Sequence, residues 1–129
     1  MRERPLSPHL SIYKFRYPMA TSIVNRATGI VLSIALLLLV YWVTAIAAGP
    51  GAYASAVAVL SHWFLKLVYL GVFAAWAYHT FNGIRHLVWD TGRAMERPQT
   101  RASATFVTIV TVVVSLAFAW FLFLTGGAA

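Results

Sequence analysis

GIVLSIALLLLVYWVTAIAA, residues 29–48, runs for twenty residues without a charged side chain. At 1.5 Å of helical rise per residue it reaches about 30 Å, the thickness of a bilayer's hydrocarbon core. Outward from it, the apolar character extends back to about Ser22 and stops at Gly49-Pro50-Gly51, two permissive residues around one that cannot donate a hydrogen bond. Two further stretches have the same character, one from about 61 to 89, stopped by Asp90-Thr91-Gly92, and one from about 103 to 125, released by Gly126-Gly127. The expected fold is therefore all-α: an integral membrane protein with three transmembrane helices in a single membrane domain spanning 1–129. Residues 1–21 form a cytoplasmic N-terminal segment in this reading, a short external connection follows the first span, and "DTGRAMERPQTRA" is a polar cytoplasmic loop.

Composition agrees with a bilayer as solvent. The chain is 60% hydrophobic and only 10% charged, and a chain of 129 residues cannot bury that much apolar surface in one small water-soluble core. Lipid must cover the remainder. The net charge of +7 is topological rather than a footprint for nucleic acid, because five of the ten Lys and Arg residues precede residue 27 and four more lie between 85 and 101. The connection around 49–61 carries none. Excess positive charge marks cytoplasmic flanks, so the amino terminus is expected inside and the carboxyl terminus outside, in the periplasm. The first twenty residues lack the apolar core and cleavage site of a signal peptide, so no processing is expected. With no cysteine in the chain, disulfides, thiolate-ligated iron-sulfur clusters and catalytic thiols are excluded here.

Ionisable groups inside a span are costly, about 2.5–3.5 kcal/mol each at the bilayer centre, and usually face a bundle interior where they serve a function. "AYHTFNGIRHLVWD" at 77–90 holds several. His79, Gly83 and His86 are spaced i, i+4, i+7 and share one helical face. His79 lies about 16 Å along the helix from Asp90, inside the bilayer. A neutral imidazole is a common ligand of haem iron, and Gly83 one turn away would let a flat macrocycle approach the backbone. The alternative at this point is a hydrogen bond across helices. His79 and His86 cannot clamp one iron between them, because axial ligands approach from opposite sides, so a second ligand must come from another chain. Arg85 and His86, near the membrane surface, suit haem propionates or else extend to water.

The first span begins "TSIVNRATG", in which Ser22, Arg26 and Gly29 share a face in the same leaflet as Arg85 and His86. A hydroxyl and a guanidinium there can hydrogen-bond a quinone carbonyl and stabilise the charge that develops on reduction. A helix cap and a topogenic arginine are the plainer reading. Trp42, Trp63, Trp89 and Trp120 lie toward span ends, where amphipathic rings favour the interface. The third span lacks ionisable groups and reads as a packing helix.

Taken together, "RPLSPHLSIY" at 4–13, "SIVNRATG" at 22–29 and "HTFNGIRHLVWD" at 79–90 closely resemble the cytochrome b556 subunit family of succinate dehydrogenase, in order and in spacing, over nearly the whole chain. The resemblance implies that His79, the first histidine of the H-x-x-x-G-I-R-H pattern, is an axial ligand of haem b. Ser22 and Arg26 match the family's S-I-x-H-R-x-[ST]-G motif, which helps to form the ubiquinone pocket beside the iron-sulfur subunit, and Ile23 would line it. Arg26, Arg85 and His86 remain candidates for haem contacts. Asn25 stands where the motif usually has histidine; it can hydrogen-bond but cannot titrate.

The resemblance also implies a four-subunit complex II. A flavoprotein with FAD oxidises succinate, an iron-sulfur subunit carries the electrons on, and two small anchors form one membrane bundle, the second supplying the other haem histidine. This chain alone would hold no catalytic residue and no succinate-oxidising site. A bacterial inner membrane is expected, since no Arg-rich, Ser-rich transit segment precedes "RPLSPH". Two alternatives stay open: the anchor of a quinol:fumarate reductase, and a cofactor-free structural membrane subunit.

Overall fold

The computed structural model describes residues 17–125. The motif at 4–13, most of the expected N-terminal segment and the Gly126-Gly127 stop lie outside the described residues. Four α-helices follow one another: α1 (Tyr17–Ala47), α2 (Pro50–Leu60), α3 (Trp63–Asp90) and α4 (Arg97–Trp120), the last continuing into a π-helical stretch, Phe121–Thr125. Three helical stretches, Met19–Ala47, Trp63–Asp90 and Arg97–Leu124, are long and apolar enough to cross a membrane. The chain is an all-α membrane protein.

Each boundary has a local cause. Gly49 adopts φ 101°, a left-handed conformation that favours glycine, and turns the chain out of α1 while its carbonyl accepts from Tyr53 N to start α2. Pro50 occupies the first turn of α2, where its missing N–H costs nothing. The expected external loop is thus largely an eleven-residue helix. His62 caps α3, its Nδ1 accepting from Phe64 N at 3.3 Å. Gly92, at φ 76°, closes α3, and its N–H donates to Trp89 O at 2.8 Å.

Both α1 and α4 begin earlier than hydropathy implies, at Tyr17 rather than 22 and at Arg97 rather than 103. Backbone hydrogen bonding propagates through polar residues at the interface, and Pro98 lies in the first turn of α4, where proline suits a helix start. The loop between α3 and α4 is correspondingly short.

α3 packs against both α1 and α4, and the buried residues of these helices include the small Ala75, Ala77 and Ala104. Small side chains let helix backbones approach closely, as membrane interfaces require. Tyr17 bonds Thr108 Oγ1 at 2.7 Å, tying the start of α1 to α4, and Tyr78 donates to Thr21 O at 3.1 Å, tying α3 to α1. Elsewhere α1 is open, with Leu37 68% and Ile30 63% exposed, a surface for lipid or for a partner helix. Trp42, Trp63 and Trp120 face outward. Trp89 instead turns in, its Nε1 donating to Ala94 O at 3.1 Å and its ring lying 4.0 Å under the Arg85 guanidinium carbon.

Candidate functional site

A long open groove of about 1320 Å³ runs along α1 and α3 from Arg26 to Leu39, with Trp76, Phe73 and Phe118 along its wall. His79 and Arg26 are the titratable groups near its inner end. Phe73 and Phe118 stack at 4.1 Å between centroids, closing the groove against α4.

His79 is held from α1. Its Nδ1 lies 3.0 Å from the Asn25 carbonyl oxygen and 3.2 Å from Thr28 Oγ1, whose hydroxyl donates to that same carbonyl at 2.8 Å. A carbonyl only accepts, and the threonine proton is already committed, so the proton resides on Nδ1. In the neutral imidazole the unprotonated ring nitrogen is then Nε2. That is the tautomer a neutral imidazole needs to bind a metal, with its other nitrogen donating to a backbone carbonyl. The donor set therefore fits haem iron on one side. Groups of three or more His, Cys, Asp or Glu able to cage a metal ion are absent among the described residues, and a haem needs only one such nitrogen from this chain.

The small residue against the His79 ring is Gly29, and Gly83 borders open space. A Cβ built on Gly29 would lie 3.2 Å from His79 Cε1, whereas one on Gly83 would meet nothing within 4 Å. The face shared by His79, Gly83 and His86 is real in helical register, but only His79 of the three lines the groove. His86 is half-buried, its ring edge-on to Trp89 at 5.0 Å.

The two arginines differ. Arg26 is exposed, lines the groove, and makes no hydrogen bond to the described residues. Ser22 and Ile23 precede it on α1, Ser22 half-buried and Ile23 54% exposed. Arg85 is 5% exposed and neither reaches water nor enters the groove. Its Nε donates to Ser103 Oγ at 2.9 Å, Nη1 to Asn82 Oδ1 at 3.1 Å and to Thr21 Oγ1 at 3.4 Å, and Nη2 to Thr100 O at 3.0 Å. One side chain thus joins α1, α3 and α4. The sequence carried a signal for this: Arg85 lies six positions after His79, which turns it about 120° away around the helix. Asn82, one turn before Arg85, is fully buried and is the second member of that hub.

Comparison with known proteins matches residues 1–118 to the family described as succinate dehydrogenase/fumarate reductase transmembrane subunit. The mitochondrial succinate dehydrogenase cytochrome b560 subunits of Sus scrofa and Homo sapiens are each 40% identical over 121 residues, covering 90% of this chain and 70% of the relative. The succinate dehydrogenase cytochrome b556 subunit of Paracoccus denitrificans is 38% identical over 101 residues, 78% of each chain. Agreement over most of the sequence, on an all-α bundle with three membrane-length helices, leads to one conclusion: the chain belongs to the transmembrane subunit family of succinate dehydrogenase and fumarate reductase.

Proposed function

We propose that this chain is the haem b- and quinone-binding half of the membrane anchor of a succinate:quinone oxidoreductase. The observation that carries the reading is the setting of His79, whose Nδ1 lies 3.0 Å from the Asn25 carbonyl oxygen while the residue lines an open groove. Bound there, haem b supplies a one-electron carrier in the bilayer. His79 binds and orients it from one side. Among the described residues the groove is open on its outer side, which supports a second anchor subunit that would cover the exposed face of α1 and supply the other haem ligand. Succinate oxidation, with FAD and the iron-sulfur clusters, belongs to the flavoprotein and iron-sulfur subunits.

Arg26, without a hydrogen bond to the described residues, is the cation available to a quinone carbonyl, with Ser22 and Ile23 beside it where the iron-sulfur subunit docks. Arg26, which lines the groove, is also available to a haem propionate, and His86 is a second candidate from the end of α3. Arg85 serves differently, as a brace. Arg85→Ala leaves buried acceptors unpaired, each at about 1–3 kcal/mol, so the yield and Tm of the complex should fall while haem per assembled complex stays constant. Haem lost from normally assembled complex would return Arg85 to a propionate role.

Succinate supplied to the purified complex should reduce both ubiquinone and the haem. A complex that reduces quinone in the steady state but contains no haem would reduce this chain to a structural anchor. The chain lies in a membrane, proposed as a bacterial inner membrane with the amino terminus cytoplasmic, the topology that the arginine distribution supports. A reporter fused to Ala129 should be active only in the periplasm, and cytoplasmic activity would reverse the orientation.

A further inference from the structure

We infer that the Asn25–Gly29 turn of α1 is a positioning cradle that sets the orientation and basicity of the His79 ring, with Gly29 and the Thr28 hydroxyl as its working parts. This rests on His79 being a haem ligand, but the cradle itself is described entirely by groups within the chain. In an α-helix each carbonyl points along the axis toward the residue four positions on. A ring that reaches the Asn25 carbonyl from a neighbouring helix must therefore pass the side-chain position of residue 29. Gly29 clears that position: an added Cβ would sit 3.2 Å from His79 Cε1 and 3.7 Å from Nδ1. The first distance is below the 3.5–4.0 Å at which carbon atoms pack without repulsion.

Thr28 completes the arrangement. Its hydroxyl is anchored by donation to Asn25 O at 2.8 Å, a bond to the i−3 carbonyl that threonine readily makes in a helix. The same oxygen lies 3.2 Å from Nδ1 and offers a second acceptor to its proton. Two acceptors on one N–H hold the ring's rotation as well as its tautomer. They also shift electron density toward Nε2, which makes the imidazole a stronger donor to a metal and favours the oxidised metal. Asn25 participates through its main chain, so the usual motif histidine and the asparagine present here can both supply this contact.

The test uses the complex purified with its native partners, normalised to flavin, with four variants read by haem content, electron paramagnetic resonance of the ferric haem and its midpoint potential. Thr28→Val removes the hydroxyl at nearly constant volume and should raise the potential. Thr28→Ser, which keeps it, should match the wild type. Gly29→Ala should displace the ring and shift the highest g value of the ferric haem. His79→Ala, included to test the underlying reading, should lose the low-spin signal. If His79→Ala loses the signal while Gly29→Ala and Thr28→Val remain indistinguishable from wild type, the cradle is overturned and the ligand stands. Equal shifts in Thr28→Ser and Thr28→Val would overturn it as well, since only the second lacks the hydroxyl. If His79→Ala retains an unchanged signal, the ligand reading fails and the cradle with it.

Discussion

His79→Ala abolishes the low-spin haem spectrum of the complex or leaves a haem that binds external ligands such as carbon monoxide. The size of the effect follows from the surroundings. Ile30, Phe73, Trp76 and Phe118 along the groove cannot donate to iron, so none of these side chains replaces the lost nitrogen. A metal site stripped of one axial ligand and of the hydrogen bonds that orient it loses affinity steeply, typically more than the 10–100-fold cost of removing a supporting contact alone. His86→Ala should leave the axial spectrum intact, because that ring lies against Trp89 on the part of α3 beyond the groove. An unchanged spectrum in His79→Ala together with a lost one in His86→Ala would exchange their roles.

Arg26→Ala should lower quinone reduction by orders of magnitude while succinate oxidation with an artificial acceptor, which draws electrons directly from the soluble subunits, stays near normal. A charge-assisted hydrogen bond to an oxygen that gains negative charge during reduction contributes about 2.7–4 kcal/mol to the transition state, by analogy with oxyanion donors. Ser22→Ala, which removes a neutral donor, should have a smaller effect in the same direction. The guanidinium of Arg26 has no hydrogen bond to the described residues that its loss would break, so the bundle itself should persist. Haem and flavin contents measured on the same preparations separate a quinone defect from an assembly defect. Full quinone reduction in both variants would return these residues to capping and topology.

What the sequence disclosed and what it withheld divide along a physical line. Hydropathy reports where lipid is the preferred solvent, so the three spans were legible, and an ionisable residue in a span is conspicuous for its cost, so His79 was too. Hydropathy does not report backbone hydrogen bonding. The polar first turns of α1 and α4 were therefore missed, as was α2, whose sequence PGAYASAVAVL is helical but too short to span and bounded by glycine and proline signals. The site was legible where it depends on one helix and hidden where it depends on two. Spacing along α3 suggested Gly83 as room for a flat macrocycle one turn from His79, a statement about one helix. The clearance for the His79 ring itself is Gly29, on another helix, and the contact it permits ends on the Asn25 main-chain carbonyl, an atom every residue carries. The partners of Arg85 were hidden for a similar reason: Thr21, Ser103 and Thr100 converge on it only once three helices have packed.

The most direct test of the central claim is the reduced-minus-oxidised visible spectrum of the complex purified with its native partners, recorded after adding succinate. A haem b signal at one haem per flavin, reduced by succinate and reoxidised by ubiquinone, is the predicted result. A fully assembled complex that carries flavin and iron-sulfur clusters but shows no haem absorbance would contradict it.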